Sequence, residues 1–183
     1  MAYLAKRDQL FLERQFDEAI RLIHSRLTET RDLSDFEKLI NPFHLVLAKV
    51  YAGDTNGARA TAQQLLGPLE TFAQKDPDNL ILVLVLPIIH AVLGQKDAAI
   101  KEAERATMLR PSGKDAVTGP WAEESLAYVE VLVGEKNRAI QRLQRLLEIP
   151  GGSLTPALLR LHPFWDPLRS DPRFQKLCEE KQP

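Results

Sequence analysis

Apolar positions recur at helical spacing along almost the whole chain, and one arrangement of them occurs twice. LVLPIIHAVLGQKDAAIKEAERATMLRP, ending at Pro111, is followed about forty residues on by LAYVEVLVGEKNRAIQRLQRLLEIP, ending at Pro150. Each copy reads as two amphipathic helices joined at a glycine turn. Aligning Gly94 with Gly134 also places Ala99 on Ala139, Ala103 on Leu143 and Ala106 on Leu146. A pair of helices this short cannot bury its apolar face alone, so pairs must stack. The pattern therefore predicts an all-α fold, a helical-hairpin solenoid of about four pairs over residues 2–28, 34–75, 80–111 and 120–150. A capping segment over 153–180 completes a single domain spanning 1–183.

The earlier pairs carry the pattern less completely. In the first, FDEAI puts Ala19 where Ala99 and Ala139 stand, but Arg14 and Gln15 replace the turn glycine. In the second, Ser34 and Glu37 have capping-box spacing, while Asn41-Pro42, a cap followed by proline, is the stronger start for the main helix. Its turn has two registers, one fixed by Gly53 and one by Tyr51. Pro87 interrupts the most apolar helix, where proline removes a hydrogen bond and crowds the carbonyl of Val83. The fourth pair is expected to start at Gly119-Pro120, after a link over 112–118.

The tail has its own signals. Thr155-Pro156 and Asp171-Pro172 are cap-then-proline helix starts, and Leu158, Leu159, Leu161, Phe164, Trp165 and Leu168 lie between them, too dense for a free linker. It is expected to dock on the second helix of the fourth pair, around Leu143 and Leu147, with Arg160, Arg169, Asp171, Arg173 and Lys176 outside. The alternatives are a self-ligand in the groove and pairing with another chain.

Composition narrows the function classes. Among 183 residues, 24 basic and 25 acidic side chains leave a net charge of −1, which gives no long-range pull on nucleic acid or on an anionic membrane. The run from Leu80 to Leu93, broken by Pro87 and His90, is too short to span a bilayer. With a single cysteine, Cys178, and no signal-peptide pattern in MAYLAKRDQL, the expectation is a cytoplasmic chain.

The landmarks of the third and fourth pairs, Gly94, Ala99, Ala106 and Pro111 and then Ala127, Gly134 and Ala139, resemble the tetratricopeptide repeat family. Pro87 and His90 replace its usual small and aromatic residues, and Glu130 stands at the aromatic place. The resemblance implies a right-handed solenoid whose first helices line a concave, ligand-facing wall. SGKDAVTGP, VGEKNRAIQRLQRLLEIPGG and LLRLHPFWDPLRSDPRFQKL further resemble the C-terminal repeat region of large bacterial signalling proteins. There such repeats follow a serine/threonine kinase, a nucleotide cyclase or a winged-helix domain, which implies a regulatory or oligomerising segment as the alternative function.

Catalytic and metal chemistry find no motif. His24, His44, His90 and His162 sit on different elements without HExxH spacing, and no glycine-rich phosphate loop occurs. The pairs Glu123-Glu124 and Glu179-Glu180 read as solvated helix faces. No enzyme activity, cofactor or metal is expected. The resemblance instead puts ligand-facing slots at Leu4, Asp8, Phe11 and Leu12, at Phe43, Leu47 and Tyr51, at Ile81, Leu84, Ile88, Ala91 and Val92, and at Trp121, Glu124, Tyr128, Val131 and Leu132. The lysine, arginine and asparagine set with which some members clamp a C-terminal carboxylate is missing. The expected partner is an apolar peptide or amphipathic helix, anchored by Trp121 and Tyr128. Two readings of these side chains stand, an open groove and a core covered by the chain's own termini.

Overall fold

The computed structural model describes residues 2–29, 33–115, 117–149 and 154–179, and its regular elements are all helical. In chain order they are α1 (Ala2–Leu12), α2 (Phe16–Thr28), α3 (Asp35–Tyr51), α4 (Thr55–Lys75), α5 (Leu80–Val92), α6 (Lys96–Leu109), α7 (Thr118–Leu132), α8 (Lys136–Leu147) and α9 (Pro156–Leu161). A 3₁₀ segment (Pro163–Leu168) and α10 (Pro172–Glu179) complete the chain. Within each of two compact units, Met1–Lys75 and Asp76–Pro183, helices adjacent in sequence pack on one another.

Four helix pairs turn in the same way. The residue after the first helix is followed by one with positive φ: Arg14 at 58°, Gly53 at 77°, Gly94 at 79° and Gly134 at 85°. In each turn the next amide, of Gln15, Asp54, Gln95 or Glu135, donates back to the carbonyl of Leu10, Lys49, His90 or Glu130. The positive-φ residue donates to the carbonyl one position later, which completes a Schellman closure of the first helix. A Cβ added at Gly53 or Gly134 would meet nothing within 4 Å, so the torsion alone selects glycine there. Gly53 thus fixes the register of the second pair. Four residues beyond these turn amides stand Ala19, Ala58, Ala99 and Ala139, all buried. A small side chain there lets the paired helices approach closely.

In the first unit, Leu10, Phe11, Ala19, Ile23, Leu45 and Ala48 form a core cluster against which Tyr3, Phe16 and Tyr51 pack. The start of α3 differs from the sequence expectation. The Ser34 hydroxyl accepts from the Glu37 amide at 3.2 Å and the Glu37 carboxylate accepts from the Ser34 amide at 2.9 Å, so the helix begins at Asp35 and runs through Pro42. Two donors satisfied by the capping box outweigh the one bond that Pro42 removes.

In the second unit, the Asn79 side chain accepts from the amides of Ile81 and Leu82 and so starts α5. Arg105 and Arg110 hold the preceding link by donating to the carbonyls of Pro77 and Asp78. Pro87 lies buried inside a continuous α5, and the Ser125 hydroxyl from α7 donates to Leu84 O in the turn before it, at 3.2 Å. Asp115 accepts from the amides of Val117 and Thr118 at the start of α7. Gly119 is packed so closely that a Cβ would stand 2.6 Å from Ser112 Cα.

Both cap-then-proline starts in the tail are helix starts: the Thr155 hydroxyl accepts from the Leu158 amide, and Asp171 Oδ1 accepts from the Arg173 amide. The tail docks in two places. α10 packs on α8, while the 3₁₀ segment packs on α7. Lys136 donates to Pro167 O at 2.9 Å and Arg173 to Asn137 Oδ1 at 2.7 Å, fixing the tail beside the start of α8.

Candidate binding face of α5 and α7

The eight proposed partner-binding side chains do not share one exposure. Phe43 and Leu47 are buried in the first unit, and Tyr51 meets Phe11 edge-on at 5.2 Å and Phe16 at 5.9 Å. Ile88 is buried, while Val92 and Leu132 are half-buried near the ends of their helices. Tyr128 is 2% exposed because Phe164 of the tail stacks on it at 3.9 Å and 17°, with Trp165 edge-on at 6.3 Å. Only Trp121, at 42%, keeps a large exposed surface. At Phe43, Leu47, Tyr51, Ile88 and Tyr128 the chain's own packing occupies the surface that a partner would use. The pattern that makes a side chain a slot also makes it core, and at Tyr128 the tail supplies the cover.

His44, which belongs to no sequence motif, is perturbed. Arg7 Nη1 donates to its Nε2 at 2.6 Å, so the ring is neutral with its proton on Nδ1. Burial, reinforced by Arg7, holds its pKa down at about 3. The fold keeps the ring neutral while the unfolded chain protonates near pH 6.5, so its contribution is intact above that pH and is lost as pH falls towards 3. We expect the stability of the wild type to fall as pH drops through this window, by on the order of 1 kcal/mol per pH unit from His44. His44→Gln, which keeps an acceptor for Arg7, should remove that part of the slope in urea unfolding followed by circular dichroism.

The charges of α5, α7 and α8 are sorted by helix. α7 carries Glu123, Glu124 and Glu130 with no lysine or arginine, α5 carries no lysine, arginine or carboxylate, and α8 carries Lys136, Arg138, Arg142 and Arg145 with no acid. Glu130 is 0% exposed and accepts from Arg142 Nε at 3.2 Å and Nη2 at 3.1 Å, with Arg138 Nε at 3.3 Å. Arg142 also donates to Glu123. Burial opposes the guanidinium charge of Arg142, yet the two carboxylates leave its pKa above the ordinary value. On this side of α7 a cleft of about 290 Å³ is lined by Ser112, Glu123, Arg142, Arg145, Leu146 and Ile149.

Glu124 lies on the other side of the helix. With Trp121 and Tyr128 it forms the i, i+3, i+7 stripe that the slots predict. Its carboxylate has neither ion pair nor hydrogen bond among the described residues, and burial raises its pKa to about 7. Glu124 is thus half-buried and unpaired, whereas Glu123 is paired with Arg142, so the two do not form one polar pair. Helical phase held the signal: adjacent residues are about 100° apart, so Glu123 turns to α8 while Glu124 stays on the slot face. The Ser125–Leu84 bond and the Val83–Ala122 packing bring α5 alongside this stripe, with Ile81 on α5 also exposed.

Comparisons with family models, with curated proteins and with solved structures found no match. Among the described residues no group of three or more histidine, cysteine or acidic side chains is arranged to hold a metal, and no helix is long and apolar enough to cross a membrane. Cys178 is buried, which raises its thiol pKa.

Proposed function

We propose that this chain is a noncatalytic protein-interaction module of tetratricopeptide-like type, and that the α5/α7 face takes an apolar peptide or amphipathic helix. Trp121 carries the reading: a tryptophan 42% exposed, on the stripe where the repeat resemblance places ligand contacts, with Ile81 also exposed on the neighbouring helix. Aromatic side chains bring large contact area with few rotatable bonds. The shared turn geometry at positions 14, 53, 94 and 134 supports a repeat architecture. Its interval of about forty residues exceeds the ~34 of that family, and part of the surplus lies in links such as 110–117.

A second reading, a regulatory or oligomerising segment of a larger bacterial signalling protein, draws support from the tail. Phe164 covers one of the slots, Tyr128, as a built-in competitor would. Selection of a displayed random-peptide library on the full chain tests the first reading. Selected peptides should bind Trp121→Ala roughly tenfold more weakly at unchanged helical content. Peptides that bind this variant as well as the wild type would remove the face from consideration.

A further inference from the structure

The interaction reading leaves the chemistry of the partner open, and the charge distribution on α5 and α7 narrows it. Of the three carboxylates on these two helices, Glu130 and Glu123 are taken by Arg142, with Arg138 also on Glu130. Glu124 is not.

Several basic side chains at the start of α8 and in the tail are engaged with other groups. Lys136 donates to Pro167 O, Arg160 to Cys178 O, Arg169 to Asp166, and Arg173 to Asp171 and Asn137. A half-buried carboxylate with no hydrogen-bond or ion-pair partner among the described residues is left to water alone. An occupant that supplies a cation gives it a direct charge contact. The carboxylate is flanked by the exposed Trp121 one turn before it, with Ile81 exposed and Leu84 half-buried on the neighbouring helix. The exposed indole on the same helical stripe also attracts a cation at its ring face.

Resting on the interaction reading, we propose that the α5/α7 face binds a cationic amphipathic segment of a partner protein, presenting lysine or arginine among apolar side chains, with Glu124 as its charge contact and Trp121 and Ile81 as its apolar floor. An acidic segment would set like charge against Glu124, and a purely apolar one would leave the carboxylate unpaired and still further from water. Either occupant binds more weakly than the basic one.

The test uses the full chain labelled with ¹⁵N. Trp121 and Trp165 are its two tryptophans, and Trp165 is fully buried, so two indole signals separate the candidate face from the core. Trp121→Phe assigns them. The probes are a helical leucine/lysine peptide of about four turns and its leucine/glutamate counterpart. The leucine/lysine peptide should shift the Trp121 indole saturably while the acidic counterpart binds more weakly. Glu124→Gln should weaken the basic peptide roughly five- to tenfold, whereas Glu148→Gln, which removes an exposed carboxylate from the end of α8, should not.

Equal binding of both peptides at Trp121, or equal loss with Glu124→Gln and Glu148→Gln, overturns the cationic assignment and leaves the interaction reading in place. If neither peptide moves the Trp121 indole, and library selection also yields no Trp121-dependent peptide, both fall.

Discussion

Glu130→Ala is expected to cost ~3–5 kcal/mol of stability in the 76–183 unit, because it leaves guanidinium charge in a buried site without its main partner. The lower end is the better figure: Arg142 keeps Glu123, and Arg138 keeps Glu104. The four turns suggest how to separate charge from shape. The carbonyl that closes each first helix belongs to Leu10, Lys49, His90 or Glu130, so these side chains hold one structural position. In the first pair it is apolar, with Leu10 buried and Leu22 packed against the same cluster. In the second Lys49 donates to Thr61 at 2.9 Å, and in the fourth Glu130 meets Arg142. Thr61, Arg142 and Leu22 lie eight residues beyond their respective turn residues. The double variant Glu130→Leu/Arg142→Leu should therefore recover to within ~1 kcal/mol of wild type, as replaced buried ion pairs often do. Urea unfolding followed by tryptophan fluorescence reads this unit alone, since both tryptophans lie in it. A loss below about 1 kcal/mol for Glu130→Ala would mean that the pair contributes little, and a double variant no better than the single one would mean that the position requires charge.

The turn glycines show why the helices were legible in the sequence. A left-handed residue closing one helix, followed by a short start to the next, is a local requirement written in consecutive positions, and Gly53, Gly94 and Gly134 meet it. Arg14 holds the same torsion without being glycine, which is why the first pair reads weakly. The start of α3 was ambiguous because two local signals, Ser34/Glu37 and Asn41-Pro42, compete, and proline is tolerated where neighbouring turns hold the helix. The candidate face was legible only in outline. Periodicity puts Trp121, Glu124 and Tyr128 on one stripe, but their different fates depend on a tail more than thirty residues away in sequence and on which glutamates of α7 the arginines of α8 reach. Those are tertiary facts, and helical spacing does not encode them.

Trp165→Ala is expected to cost ~3–5 kcal/mol in the same unit, the usual range for emptying a fully buried tryptophan site. Trp165 joins Leu159, Leu168 and Phe174 among the fully buried side chains of the tail, and its ring stands edge-on to Tyr128. The tail thus carries core, and not just cover. Phe164 is different: half-buried and stacked on Tyr128, it closes the stripe without filling the interior. Phe164→Ala should cost only ~1 kcal/mol of ring stacking beyond its buried area. It should also open Tyr128 to a partner. Ending the chain at Ile149 removes both contributions, exposing the α7 and α8 surfaces that the 3₁₀ segment and α10 cover. The truncated protein should melt at lower temperature and self-associate in size-exclusion chromatography, because helix faces stripped of their cover expose apolar surface. The two variants together decide what the tail is for. A truncated chain that stays monomeric and equally stable would reject the cap; if Phe164→Ala then also bound selected peptides more tightly, the tail would be an autoinhibitory ligand for the face it covers.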